Sequence, residues 1–168
     1  MKKQEAFVAV LMGSDSDFPV MQSTLGVLKE LSIPFEVRVT SAHRTPAETH
    51  EYVTGADQRG CAVFIAAAGL AAHLAGAVAA NTVKPVIGVP LDAGSLQGMD
   101  ALLSTVQMPG GIPVASVAIG KPGAKNAAYL AAQIMALADT ELAQRVVADR
   151  KASAEAVIKK NQKLQDSL

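Results

Sequence analysis

Five short apolar runs, each followed by a helical pattern, limit what this chain can fold into more than any other feature of the sequence. Most of these runs are apolar throughout, without the polar alternation of a strand that has one face in water. Strands of this kind are typical of parallel sheets that helices cover on both sides. The predicted strands lie at 7–12, 35–39, 63–67, 85–89 and 114–119.

Helical patterns fill the intervals between these strands and follow the last one. A regular alternation of strand and helix implies right-handed crossovers and an α/β fold. We therefore expect three layers, αβα, around a parallel five-stranded sheet with a flavodoxin-like strand order. The predicted helices lie at about 18–31, 46–59, 73–81, 99–107 and 124–137.

A last helix is predicted from Thr140 to about Gln165, after the alternating unit is complete. Its apolar stripe is sparse, so it could pack on a neighbouring subunit. The chain has no linker, low-complexity tract or internal repeat, and its 168 residues fit one domain. We expect a single domain over 1–168, with its core at about 7–137 and the C-terminal helix at about 140–165.

Composition narrows the possible partners. Hydrophobic residues make up 50% of the chain and charged residues 18%, which favours a homo-oligomer that covers part of the apolar surface. Fifteen basic residues balance fifteen acidic ones without a basic stripe, which argues against nucleic acid. No apolar run reaches the ~18 residues of a membrane span. The single cysteine, Cys61, excludes an intrachain disulfide and a multi-cysteine metal site and fits a reducing cytoplasm.

The turns that follow four of the strands are the places to look for chemistry. In an open parallel sheet these turns line one edge, where ligands bind. They occupy residues 13–17, 41–44, 68–73 and 91–98.

The second of these turns carries the densest chemistry. Thr45, with Glu48 three residues later, predicts a capping box at the start of the following helix. Ser41, His43 and Arg44 are not needed for that cap. A guanidinium can clamp a phosphate through two hydrogen bonds, and an imidazole exchanges a proton near neutral pH. On residue type alone, Arg44 could also be a solvated surface arginine, and a single loop histidine such as His43 is more often polar surface than catalytic.

The first turn holds two hydroxyls and two carboxylates beside a predicted helix start. Ser14 and Ser16 there favour an anion such as phosphate. A carboxylate would repel that anion, so Asp15 or Asp17 would instead meet sugar hydroxyls. Both residues are also typical turn and cap residues, and Asp17 is predicted to cap the helix.

The remaining candidates are weaker. His73 lies at an alanine-rich helix, where packing or a hydrogen bond is as good an interpretation as catalysis. His50 belongs to the helix after Pro46 and is interpreted as structural. The three histidines lack metal-ligand spacing, so no metal site is predicted. Gly69 indicates close approach of the backbone to a ligand.

Taken together, these turns resemble one family. The Ser-Ala-His-Arg-Thr-Pro and Gln-Met-Pro-Gly-Gly-Ile-Pro segments are highly specific, and the match covers about 7–137 in order. The chain resembles the bacterial 5-(carboxyamino)imidazole ribonucleotide mutases of purine biosynthesis. The residues that carry the resemblance lie at 13–17, 41–46, 69–74, 107–114 and 118–120.

The resemblance implies an isomerase that needs no metal, ATP or organic cofactor. A carboxyl group moves from the exocyclic amine of an aminoimidazole ribonucleotide to ring carbon 4, through carbon dioxide held in the pocket. His43 would be the catalytic residue, giving a proton to the nitrogen and taking one from carbon 4. Members of the family are commonly homo-octamers, and a cytoplasmic location is expected.

The resemblance also assigns the substrate contacts. Ser14, Ser16, Ser41 and Arg44 would bind the phosphate. Asp17 would bind the ribose. The wall near the base and carboxylate would be formed by Ala68, Gly69, Leu70 and His73.

Two positions depart from the family pattern. Leu70 stands where the family usually has glycine, and Ala75 where it usually has proline. A leucine there can narrow the pocket or forbid a positive φ, and losing the proline loosens the start of the helix.

Three alternatives remain open at this point. The same pocket could carboxylate aminoimidazole ribonucleotide with free carbon dioxide. A flavodoxin-like flavin carrier would need aromatic side chains against the flavin, but the chain has no Trp and only Tyr52 and Tyr129. A catalytically inactive oligomeric module is disfavoured because His43 and Arg44 are present.

Overall fold

The computed structural model describes residues 5–168, which contain one five-stranded sheet in which every pairing is parallel. Residues 1–4 of the predicted domain lie outside the described part. The strands are β1 (Phe7–Met12), β2 (Phe35–Val39), β3 (Cys61–Ala68), β4 (Val86–Pro90) and β5 (Ala115–Ser116). Their order, β2-β1-β3-β4-β5, confirms the predicted flavodoxin-like arrangement.

Helices cover both faces of this sheet and give the predicted three layers. The helices are α1 (Phe18–Glu30), α2 (Pro46–Gln58), α3 (Leu74–Ala79), α4 (Met99–Val106), α5 (Gly120–Ala136) and α6 (Thr140–Gln165). Two clusters of buried side chains lie on opposite faces of the sheet, one beneath α1 and α5 and the other beneath α2 and α3. None of the helices within residues 5–168 combines the length and apolarity that a membrane span requires.

β1 is the centre of the core and is buried on both faces, as its sequence predicts. Val8 and Val10 point into the cluster beneath α1 and α5, while Ala9 and Leu11 point into the opposite one. Alternate side chains of a strand leave opposite faces, so both faces must be apolar. β1 pairs with β2 on one side and with β3 on the other, which fixes the positions of three consecutive turns.

The fifth strand is shorter than predicted, and the helix after it begins earlier. β5 has two residues instead of the six at 114–119, since it lies at the sheet edge and has only β4 to pair with. Val117 still donates one hydrogen bond to the Gly88 carbonyl before the chain turns away. α5 then starts at Gly120 rather than 124, because a proline in the first helical turn, here Pro122, costs no intrahelical hydrogen bond.

Smaller differences occur at other boundaries. β4 extends one residue beyond the predicted 85–89, to Pro90. The N–H of the next residue, Leu91, still donates to the Ala68 carbonyl. α3 ends at Ala79 instead of Asn81, whose side chain donates to the Ala77 carbonyl.

α6 is anchored at its start and solvent-facing further on. The Asp139 carboxylate caps the helix by accepting a hydrogen bond from the Leu142 N–H at 2.9 Å. Leu142 is buried, and Arg145 donates to the Leu31 carbonyl at 2.9 Å. From position 151 onward every residue is exposed.

Two glycines in helices give a matched stability test. A Cβ at Gly123 would overlap the carbonyl oxygen of Ala118, whereas a Cβ at Gly26 would have no neighbour within 4 Å. We expect Gly123→Ala to lower the free energy of unfolding by about 1–3 kcal/mol through overpacking. Gly26→Ala should raise it by about 0.4–1 kcal/mol, because the unfolded chain loses conformational freedom. Denaturant unfolding at a fixed protein concentration measures both, and equal effects would contradict the close approach at Gly123.

Candidate active site

A cavity of about 490 Å³ opens at the carboxyl edge of the sheet, where β1 lies between β2 and β3. The structure places all ten predicted site residues in its lining, from three separate turns. Five further residues complete the wall. The predicted residues are Ser14, Ser16, Asp17, Ser41, His43, Arg44, Ala68, Gly69, Leu70 and His73, and the additional ones are Gly13, Ala42, Ala71, Leu74 and Ala93.

The turn after β1 folds around Ser14 rather than around Asp17. Ser14 begins a single 3₁₀ turn at Asp15–Asp17, and its Oγ accepts a hydrogen bond from the Ser16 N–H at 3.3 Å. The Asp17 carboxylate reaches back to accept from the Ser14 N–H at 3.0 Å. The prediction that Asp17 caps α1 through its side chain is therefore wrong, because that oxygen is already used in the preceding turn.

This turn places a partly buried carboxylate beside two hydroxyls. Burial raises the pKa of Asp17 above its usual value, the Ser14 N–H opposes the shift, and the charge of Asp15 adds to it. A carboxylate that has lost water gains from new hydrogen-bond donors. Asp17 can therefore accept hydrogen bonds from hydroxyl groups of a ligand that enters the cavity.

Arg44 ties the turn after β2 to the turn after β1. Its Nη2 donates to the Gly13 carbonyl at 3.1 Å, and its backbone N–H donates to Ser41 Oγ at 3.2 Å. The guanidinium nevertheless remains exposed at the cavity wall. The hydrogen bond to Gly13 fixes its position and leaves further donors for an anion.

Thr45 stabilises this turn and does not cap α2 through its side chain. Its hydroxyl accepts from the Ser41 N–H at 3.0 Å, and no side chain caps the helix start. The predicted capping box with Glu48 is therefore wrong. The Thr45 backbone, at φ −135° and ψ 56°, directs the hydroxyl toward the turn, where the Thr40 hydroxyl also lies 3.3 Å away.

The two cavity histidines form a hydrogen-bonded pair. His43 Nε2 lies 2.7 Å from His73 Nδ1, and the rings are nearly perpendicular, at 88°. His73 immediately precedes α3 and therefore lies at the start of that helix. Its side chain makes a hydrogen bond, one of the roles that the sequence suggested for it. Such a bond requires one ring nitrogen to donate and the other to be free of a proton. The third histidine, His50, bonds Asn81 at 2.6 Å and does not line the cavity.

The turn after β3 forms the apolar wall. Gly69 is required there, because a Cβ would lie 2.6 Å from the Cβ of Ala93 in the turn after β4. Leu70 has φ +55°, in the left-handed region. The leucine therefore does not prevent a positive φ at this position, but the backbone there is strained.

A second, more apolar cavity of about 430 Å³ shares Ala42, His43 and His73 with the first. Met108, Pro109 and Ile112 line its other side, which brings the Gln-Met-Pro-Gly-Gly-Ile-Pro segment next to the histidine pair. The sequence indicated that this segment is distinctive but not where it lies. Within residues 5–168, His, Cys and acidic side chains form no group able to hold a metal ion.

Comparison with known proteins identifies the family. The model of the family described as "AIR carboxylase" matches residues 7–156. A relative from Bacillus subtilis, named N5-carboxyaminoimidazole ribonucleotide mutase, is 48% identical over 160 residues, which are 95% of this chain and 99% of the relative. Relatives of the same name from Mycobacterium tuberculosis and Escherichia coli K12 are 53% and 49% identical, covering 94% of this chain and 90% and 93% of their own.

Solved structures agree with this assignment. Treponema denticola PurE superposes with a TM-score of 0.85 at 31% identity, covering 95% of this chain and 99% of that one. A single-substitution variant of PurE2 from the same organism gives a TM-score of 0.87 at 30% identity, with 95% and 98% covered. The family model matches almost the whole fold, and about half of the residues are identical in the curated relatives. This chain therefore belongs to the AIR carboxylase family.

Proposed function

We propose that this chain is an N5-carboxyaminoimidazole ribonucleotide mutase, an isomerase of purine biosynthesis. The observation that carries the proposal is that one cavity holds both an anchored guanidinium and a histidine pair, in a chain about half identical to relatives of that name. A ribonucleotide requires both features, since its phosphate must be held while its base reacts.

The phosphate would lie against the turns after β1 and β2. Arg44 supplies the charge, while Ser14, Ser16 and Ser41 supply hydroxyl donors around it. Charge-assisted bonds from a positioned guanidinium are stronger than neutral ones. The Asp17 carboxylate is partly desolvated by burial, and it would accept hydrogen bonds from the ribose hydroxyls.

The base would lie between the histidine pair and the apolar turn after β3. As the N–C bond of the carbamate breaks, its electron pair stays on nitrogen, which takes a proton from His43, and carbon dioxide is released. Carbon 4 then gives an electron pair to carbon dioxide and forms the new C–C bond, and His43 removes the proton from that carbon. His43 gives one proton to the nitrogen and takes one proton from carbon 4, so it returns to its starting protonation state and one imidazole can serve both steps.

His73 would be a positioning residue in this scheme. Its 2.7 Å hydrogen bond holds the His43 ring at the cavity wall. We assign proton transfer to His43 because it belongs to the same turn as Arg44, and the phosphate therefore places the base near it.

Direct carboxylation with free carbon dioxide is the second candidate, which the description of the family model favours. The names of the relatives at 48% and 53% identity favour the mutase. Supplying either the carbamate substrate or aminoimidazole ribonucleotide with bicarbonate distinguishes the two reactions. A flavin carrier has no support, since the cavity lining contains no Phe, Tyr or Trp among the described residues.

The apolar surface supports a homo-octamer, working in the cytoplasm. Met99, Leu103 and Val106 are exposed on α4 and recur with helical spacing, and Val157 and Ile158 are exposed on α6. Exposed apolar faces on helices are typical of subunit contacts. The buried, unpaired Cys61 fits a reducing compartment.

Arg44→Ala should weaken ribonucleotide binding by about 1.5–3 kcal/mol, the scale of a hydrogen bond to a charged group. Calorimetric titration measures the change. Arg38→Ala is the matched control, because Arg38 lies on β2 with its guanidinium over Tyr52 and outside the cavity lining. Unchanged affinity in Arg44→Ala would remove this residue from the site.

His43→Asn should keep folding and ribonucleotide binding but lose at least the ~10²-fold in turnover that general acid–base catalysis contributes. His73→Asn should cost less, because it acts through His43. His50→Asn is the control and should leave turnover unchanged, since His50 lies outside the cavity. If His73→Asn abolished turnover while His43→Asn did not, the two roles would be reversed.

Leu103→Arg should break the octamer into smaller species, because a charge would be placed on the exposed apolar face of α4. Light scattering at micromolar concentration measures the mass in units of the 17.3 kDa chain. Deletion of residues 157–168 removes the exposed end of α6 and should also reduce assembly. A monomeric wild-type protein would contradict the proposed assembly.

A further inference from the structure

We propose that Leu70 and Gly94 form a latch that holds the loop at 91–98 over the apolar side of the cavity, and that this latch limits loss of the carboxyl group during its transfer. The second part rests on the mutase activity proposed above. The first part concerns the loop alone and can be tested without any substrate.

The contact itself depends on two unusual backbone conformations. Leu70 has φ +55°, a strained value for leucine, and its side chain is still 55% exposed. The side chain lies against Gly94, where an added Cβ would be 2.5 Å from Leu70 Cδ2. Gly94 itself has φ +75°, which glycine adopts without strain. The Leu70 side chain therefore packs against the backbone of Gly94, and a side chain at position 94 would displace its end.

Further contacts join the same two turns next to the latch. The Leu91 N–H donates to the Ala68 carbonyl at 3.0 Å, continuing the β3–β4 pairing. Gly69 leaves room for Ala93, whose Cβ would be 2.6 Å from a Cβ at that position. Both Leu70 and Ala93 line the cavity of about 490 Å³, so the two joined turns form one continuous apolar wall.

The middle of the loop, residues 94–97, is exposed and has fewer restraints than its two ends. Leu91 and Gly98 are buried, and the Met99 N–H donates to the Leu96 carbonyl at 3.0 Å. Gln97 and Gly98 both have positive φ, and the Gln97 N–H donates to the Gly94 carbonyl at a long 3.4 Å. Leu96 is 63% exposed and contributes little burial. Segments with few buried contacts open at low free energy, so removing the Leu70 contact should free this loop first.

Loss of the latch has a chemical consequence. When the N–C bond breaks and nitrogen takes its proton, the released carbon dioxide either accepts electrons from carbon 4 or leaves the cavity. In the second case the protonated nucleotide remains as aminoimidazole ribonucleotide, and the carboxyl carbon appears in solution. A closed apolar wall favours the first outcome, because it keeps the small neutral molecule beside carbon 4 and excludes water.

The experiment compares Leu70→Gly, Gly94→Ala, the double variant and Leu70→Met in the full chain. Gly60→Ala is the matched control, because Gly60 has φ +92° and a Cβ there would meet nothing within 4 Å. It introduces the same backbone strain as Gly94→Ala at a position outside the cavity lining. Hydrogen exchange of the peptide covering 91–98 reports the latch, and the fraction of labelled carboxyl carbon lost per turnover reports its function.

We expect amide exchange in the loop to be roughly 3–10-fold faster in Leu70→Gly and Gly94→Ala, the change expected for loss of one apolar contact. Gly60→Ala should leave exchange in the loop unchanged. Leu70→Met should keep it close to the wild-type rate, because methionine retains an apolar contact with Gly94. The lost fraction of label should rise in both single variants, with no further rise in the double variant, because both remove the same contact.

Three results would separate the parts of the proposal. Unchanged loop exchange in Leu70→Gly would overturn the latch. Faster exchange with an unchanged lost fraction would overturn its role in retaining the carboxyl group. A wild-type protein that transfers no carboxyl group but shows the exchange pattern would contradict the mutase function while leaving the latch in place.

Discussion

The parallel pairing of β1 with both β2 and β3 is the constraint on which the rest of the site depends. Each strand ends at the same edge of the sheet, so the turns that follow them must lie side by side. The hydrogen bond from Arg44 to the Gly13 carbonyl then joins two of these turns directly. The bond between His43 and His73 joins the second turn to the third. Residues far apart in sequence thus form one wall, held by the sheet and by two hydrogen bonds.

The same wall concentrates features that do not favour stability. A partly buried Asp17 with a raised pKa is less stable as a carboxylate than it would be in water. Because the pKa of Asp17 in the folded state lies above that in the unfolded chain, the resulting loss of stability begins as the pH rises through the unfolded-state pKa and is complete once the pH exceeds the folded-state pKa. Leu70 adds backbone strain. Strain and desolvation that gather at one cavity are typical of a site prepared for a ligand.

The sequence predicts the fold and the membership of the cavity well, but not the hydrogen bonds inside it. Apolar runs such as Phe7–Met12 have one favourable outcome, a strand buried on both faces, so their prediction was confirmed. Thr45 and Asp17 each had several nearby partners, and a local pattern cannot rank a helix N–H against the Ser41 or Ser14 N–H. The pairing of His43 with His73 joins two separate turns, and it depends on the side-chain positions in both, which the predicted strand order does not contain.

Position 75, where the family resemblance predicts proline and this chain has alanine, lies at the start of α3 next to the histidine pair. Ala75 is buried in the first turn of α3, where a proline would have restricted the backbone. The Ala75 Cβ packs against Gly88 of β4, where an added Cβ would lie 3.2 Å from it. Ala75 therefore packs against the sheet. Two backbone hydrogen bonds fix this turn: the His73 N–H donates to the Ala71 carbonyl at 2.8 Å, and the His73 carbonyl accepts from the Ala77 N–H at 2.9 Å. The bond from the His73 ring to His43 adds a third restraint, so in this chain the histidine pair also helps to define where α3 begins.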